Sequence, residues 1–263
     1  MPPTRSCAIK ITASLAGLLL ASGAAGAPLA PPAPRGHPLE YEAALRAFAK
    51  SGRWEPMGEL TGRLQFEGRQ PARELMLGSY YRAAGPLKVG GFLRLQGGAR
   101  HDDDWINPRK GVWLWRDTTD RTEPVLVLDA TPRLQLSRLP GGNWLGAVKT
   151  RFEHNLFNGQ EVFWLEPELS WFWMEGLRPR FHAALRYEAG LSVDFGERTL
   201  GEQWVYVTGL WHCENGLVLG PHAALGERVF STSKAFADAG GGSYQVLWKS
   251  LRLGIDAVWR FGA

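Results

Sequence analysis

Residues 143–191 constrain the fold more than any other stretch, because apolar and polar side chains alternate there through three successive runs. Phe163, Leu165, Pro167, Leu169, Trp171 and Trp173 share one parity, and Trp164, Glu166, Glu168, Ser170 and Phe172 share the other. Side chains on a strand point to alternate faces, so one face is wholly apolar and the other carries carboxylates and a hydroxyl. Residues 174–178, centred on Glu175 and Gly176, read as a turn. The next run repeats the pattern, with Phe181, Ala183, Leu185, Tyr187, Ala189 and Leu191 against His182, Ala184, Arg186, Glu188 and Gly190. The preceding run sets Trp144, Gly146, Val148, Thr150 and Phe152 against Leu145, Ala147, Lys149, Arg151 and Glu153.

Two architectures accommodate such strands. In a soluble sandwich the apolar face packs on a second sheet and the charged face is solvated. In a transmembrane barrel the apolar face meets lipid and the charged face lines the lumen. Strand length favours the barrel, since about ten residues cross a bilayer at a tilt. The placement of Trp144, Trp164, Trp171, Trp173, Trp204, Trp211 and Trp259 near strand ends also favours it. Amphipathic rings sit at headgroup level, so these seven are candidate membrane-interface aromatics.

Residues 1–27 read as a secretory signal peptide: Arg5 and Lys10, a short apolar region over 11–21, then small residues. Pro28 is a poor residue after a cut, so cleavage after Ala25 stands beside cleavage after Ala27. With Cys7 removed only Cys213 remains, which excludes an intramolecular disulfide. No later stretch has the apolar run of a membrane-spanning helix, and a barrel hides its membrane signal in alternation. The 32 glycines and 12 tryptophans suit turns and aromatic girdles. Thirty basic against 26 acidic residues give no argument for nucleic acid.

Residues 28–58 read as a Pro/Ala-rich segment followed by a short amphipathic helix over 38–50, with Tyr41, Leu45 and Phe48 at i, i+4 and i+7. Such a helix would plug the barrel, cap its mouth, lie on the membrane or remain a loosely held tail. Residues 59–263 form the barrel domain, with alternating runs at 60–68, 74–82, 87–98, 125–139, 203–212, 217–229 and 244–261 besides the three above. Pro132 predicts a bulge or an unpaired position. Short connections at 140–143, 174–178 and 214–216 alternate with long ones at 99–123, 154–160, 192–202 and 230–243. That parity gives an all-β, antiparallel up-and-down barrel of about ten strands, twelve being the alternative.

The chain resembles the small bacterial outer-membrane β-barrel proteins over residues 59–261, on architecture alone. Its final strand, ending Trp259, Arg260, Phe261, looks like the aromatic-terminated closing strand of that class. The resemblance implies a Gram-negative cell-envelope protein in the outer membrane, with membrane lipid and the barrel-assembly machinery as partners. It leaves open an envelope-complex partner docking on the N-terminal helix or external loops.

The inward face is expected to carry Arg63, Glu67, Lys88, Arg94, Arg133, Lys149, Arg151, Glu153, Glu166, Glu168, His182, Arg186, Glu188, His222, Arg252, Asp256 and Arg260. Both signs in a narrow space predict a paired network, since an unpaired charge there is costly. A porin-like, charge-selective conduit is the functional reading of the same residues. The main reading is a non-enzymatic narrow pore or scaffold.

For chemistry, His101, Asp102, Asp103 and Asp104 form the most suggestive cluster, able to bind a divalent cation or to activate water. The latter resembles the ten-stranded aspartate/histidine proteases and would require His154 as a facing partner. A lipid-modifying barrel would need a serine activated by a histidine; Glu153, His154 and Asn155 are present, but Ser137 and Ser170 lie at undetermined depth. His212, Cys213 and His222 lack zinc-ligand spacing. No Gly-rich phosphate loop is present, and no cofactor or metal is expected.

Overall fold

A computed structural model describes residues 39–65, 72–98, 106–107, 112–113, 122–136, 139, 143–157, 159–193, 200–231 and 245–262. The strands are β1 (Leu39–Ala49), β2 (Trp54–Gln65), β3 (Ala72–Arg82), β4 (Leu87–Gly97), β5 (Ile106–Asn107), β6 (Val112–Trp113), β7 (Thr122–Gln135), β8 (Trp144–Asn155), β9 (Glu161–Glu175), β10 (Arg178–Ser192), β11 (Leu200–His212), β12 (Leu217–Ser231) and β13 (Gln245–Phe261). Eleven of them close a barrel in the order β1-β13-β12-β11-β10-β9-β8-β7-β4-β3-β2, and β5 and β6 form a separate two-stranded sheet. Closure satisfies the backbone groups that an open sheet would leave at its two edges.

All ten expected strands are present, and the eleventh replaces the expected helix. Residues 39–49 are strand β1, antiparallel to β2 and parallel to β13, with Leu39 opposite Leu251 and Ala49 opposite Phe261. The barrel therefore begins at Leu39 rather than at residue 59. The physical reason is a second periodicity in the same residues. Glu40, Glu42, Ala44, Arg46 and Phe48 face in, while Tyr41 and Leu45 are exposed on the outside. Tyr41 and Leu45 are four apart, a spacing that a helix face and a strand face both satisfy. Burying Glu40 and Glu42 beside basic side chains of β2, β12 and β13 selects the strand.

A parallel seam has a consequence for the ends. The chain enters the barrel at the end where β8–β9, β10–β11 and β12–β13 connect, and leaves it at the end of the short turns. Two of those turns carry glycine at positive φ, Gly176 (61°) and Gly216 (79°), a region open to glycine at little cost. Pro132 is tolerated without a bulge: β7–β8 pairing skips from Ala130–Thr150 to Arg133–Ala147 with unchanged register. The proline pairs with Leu87 of β4 and is unpaired on the β8 side, where a missing N–H is tolerated.

The barrel is apolar outside and charged inside. Leu185 is 52% and Leu253 39% exposed, whereas Arg252, the neighbour of Leu253 in sequence, is 3% exposed in the interior. Leucine, valine, isoleucine or tryptophan occupies the outer face of strand after strand, including Leu60, Leu77, Leu93, Leu128, Val207 and Ile255. The interior also holds an apolar wall. Met57, Met76, Phe92, Val125 and Val127 pack together on β2, β3, β4 and β7, with Phe48 and Tyr80 against them.

The expectation for the tryptophans needs correction at two positions. Trp173, Trp211 and Trp259 are exposed on the outer face, and Trp144 and Trp171, opposite one another, share that parity. Trp164 and Trp204 instead point inward: Trp164 lines the interior cavity and Trp204 is 1% exposed. Room for their rings comes from glycines on adjacent strands. A Cβ at Gly226 would lie 2.1 Å from the Trp204 ring, and one at Gly190 2.9 Å from Trp164.

Candidate functional site

The functional candidate is the lumen. A cavity of about 800 Å³ runs along the interior, from Glu74, Gln96 and Glu202 toward the long-loop end to Lys88, Arg133 and Arg260 toward the short-turn end. Its walls are the inward residues of the alternating strands, so period two alone delivers these side chains to one space.

Near the long-loop end the network is organised around Glu40, which is 0% exposed. The Arg252 guanidinium donates to Glu40 Oε2 from Nε (3.0 Å) and Nη2 (2.8 Å), and Arg228 Nη1 donates to Oε1 (2.6 Å). The Arg252 guanidinium also lies 3.9 Å from the Trp204 ring centroid and donates to the Tyr206 hydroxyl. A cation held over an indole face gains further when desolvated. Arg63 reaches Glu42 from Nε (2.9 Å) and Nη2 (2.8 Å), and Arg228 Nε reaches Glu202 (3.1 Å).

In the middle of the lumen, Arg94 makes a two-pronged pair with Glu153 (2.8 and 2.7 Å). Arg151 lies between Glu153 (3.4 Å) and Glu166 (3.3 Å), and Lys149 between Glu166 and Asp129 (3.8 Å each). Arg46 joins Glu59 (2.9 Å) to Asp256 (3.4 Å), whose second oxygen is 2.7 Å from His222 Nδ1. Arg186 pairs with Glu188 (3.0 Å), and Ser170 donates to Glu168 (2.7 Å). Most of these bridges cross between strands, whereas Arg186–Glu188, Arg151–Glu153 and Ser170–Glu168 lie within one strand. Planar guanidinium–carboxylate pairs suit bridging between strands because they are geometrically specific as well as strong.

Near the short-turn end the composition changes. Lys88 bonds Glu55, His182 Nδ1 lies 2.8 Å from His212 Nε2, and Phe172 stacks on His182 with centroids 5.0 Å apart. Arg133 and Arg260 line the cavity at this level and are exposed to it.

The sequence-based network candidates fall in this lumen where they are described: Arg63, Arg94, Lys149, Arg151, Glu166, Glu168, Arg186, Glu188, Arg252 and Arg260 line the cavity, and Asp256 is buried beside it. Glu67 lies outside the described residues. Sequence reasoning missed Glu40, Glu42, Arg46 and Glu59. The first three were hidden by the helix assignment, although the period-two spacing of Glu40, Glu42 and Arg46 was the signal that marks them.

The hydrolase candidates do not assemble among the described residues. His101, Asp102, Asp103 and Asp104 lie outside those residues. His154 has the outward parity of β8, and its Nδ1 is 3.1 Å from Glu161 Oε1. Of the two serines, Ser137 lies outside the described residues, and Ser170 is buried inside and donates to Glu168 rather than to an imidazole. His212 is engaged by His182 and His222 by Asp256, while Cys213 is exposed at the turn. No group of three or more metal-ligating side chains occurs among the described residues. No family model, curated protein or solved structure matches the chain.

Proposed function

We propose that this chain is an integral outer-membrane β-barrel protein of a Gram-negative cell envelope, non-enzymatic, and that its lumen is a narrow solute pore. One observation carries the reading: leucine-class side chains face away from the barrel axis and ionic ones face toward it. In water that arrangement exposes apolar area at about 25 cal/mol per Å² and buries charges at a cost. In a bilayer the same outer face is solvated by lipid and the same lumen by water. Barrel strands of 11 to 17 residues exceed the roughly ten that a tilted crossing requires.

The cavity between the two ends favours a pore over a closed scaffold, and the bridging ion pairs keep it narrow. Outer-membrane lipid and the barrel-assembly machinery are the partners this reading implies, after removal of the leader. With the short turns in the periplasm, Leu39 lies at the outer rim and Phe261 at the inner one. A partner docking on the N-terminal segment would then approach from outside.

The test combines gel mobility with conductance. The folded protein should migrate differently before and after boiling, fractionate with outer membranes and give small, discrete current steps in a planar bilayer. Recovery of the mature chain in the soluble periplasm overturns the membrane reading. Stable insertion with no conductance overturns the pore and leaves a scaffold.

A further inference from the structure

Two arginines of the lumen stand outside its ion pairs among the described residues, both at one mouth, and the lumen carboxylate Glu168 accepts from Ser170 rather than from a basic side chain. Among the lysine and arginine side chains lining the cavity, all but Arg133 and Arg260 have a carboxylate oxygen within 4.0 Å. Those two lack one among the described residues, and both sit at the short-turn end, Arg260 on β13 and Arg133 on β7. β13 and β7 are five strands apart around the closed barrel, so the two side chains line the cavity from facing walls. Glu55, a carboxylate within electrostatic reach of both arginines, is bonded to Lys88. Arg260 is held with its guanidinium carbon 5.6 Å from the Phe48 ring centroid, which fixes it at the rim. A guanidinium that is positioned, solvent-facing and without a carboxylate in contact presents several N–H donors in a fork matched to a carboxylate or phosphate.

We propose that the short-turn mouth of the lumen is an anion-binding site, in which Arg133 and Arg260 together grip a small carboxylate- or phosphate-bearing solute. The cation excess at this mouth contrasts with the paired middle, so an anion meets its strongest attraction on entry. Low-dielectric walls focus such a field and raise the local anion concentration. The inference goes beyond the membrane reading and rests on the barrel alone.

Equilibrium dialysis of the folded full chain in detergent micelles against inorganic phosphate, at low ionic strength, tests it without requiring conductance. Saturable binding is expected, weakened by salt, and weakened about tenfold or more in R133Q/R260Q, the size of losing a charge-assisted bond. A matched variant at an exposed basic residue outside the lumen, R73Q, should bind as the parent does. Circular dichroism and heat-modifiable mobility establish that each variant is folded. Absence of saturable binding in the folded parent, or equal binding in R133Q/R260Q, overturns the site. A barrel that binds phosphate but does not enter membranes would overturn the membrane reading and keep this one.

Discussion

Replacing Glu40 with alanine should destabilise the barrel by about 3–5 kcal/mol, the range for stripping one partner from a buried charge cluster. Glu40 is fully buried and accepts from both Arg252 and Arg228, with Arg63 Nε 4.0 Å away. Removing its carboxylate leaves the Arg252 guanidinium, itself 3% exposed, with Glu42 at 3.6 Å as its remaining carboxylate among the described residues. Reversible urea unfolding in lipid vesicles, followed by tryptophan fluorescence, reads the effect. The paired variant E40M/R252M should recover much of the loss, because no buried charge is then orphaned. A loss below about 1 kcal/mol in E40A contradicts the placement of residues 39–49 as a strand against β13.

The second large effect belongs to the outer face. Leu185 is at the middle of β10, between Leu169 of β9 and Val207 of β11. If this face meets the hydrocarbon core, Leu185→Arg costs about 2–4 kcal/mol, the penalty for arginine at the midplane of a membrane barrel. If it meets water, the same change is within about 0.5 kcal/mol, as for surface substitutions generally. Leu177→Arg, at the β9–β10 turn and fully exposed there, provides the comparison and should be near neutral in the same unfolding assay.

What the sequence makes legible is one-dimensional. The alternation of Leu185 with Arg186, or of Leu253 with Arg252, needs no neighbour to be read, and strand identity and facing follow from it. The first strand escaped because Tyr41 and Leu45 fit two periods at once, and because Phe48 is an apolar residue turned inward. Trp204 was misassigned by residue type: its parity with Tyr206 places it inside, and the glycine that admits its ring, Gly226, lies on another strand. Partner identities within the network were not legible at all. Arg252 and Glu40 are 212 positions apart, and only the closing seam and barrel tilt bring them together. The unpaired state of Arg133 and Arg260 is likewise a property of the assembled lumen, visible once each neighbour's partner is known.

The central claim is directional, and lipid-attached nitroxide quenching measures it at adjacent residues. A fluorophore is placed at Leu185→Cys or at Arg186→Cys in a chain whose native cysteines are replaced by serine, reconstituted in vesicles carrying nitroxide on the acyl chains. Strong quenching at 185 and little at 186 is the expected result. Equal quenching at both positions, or stronger quenching at 186, would contradict the account.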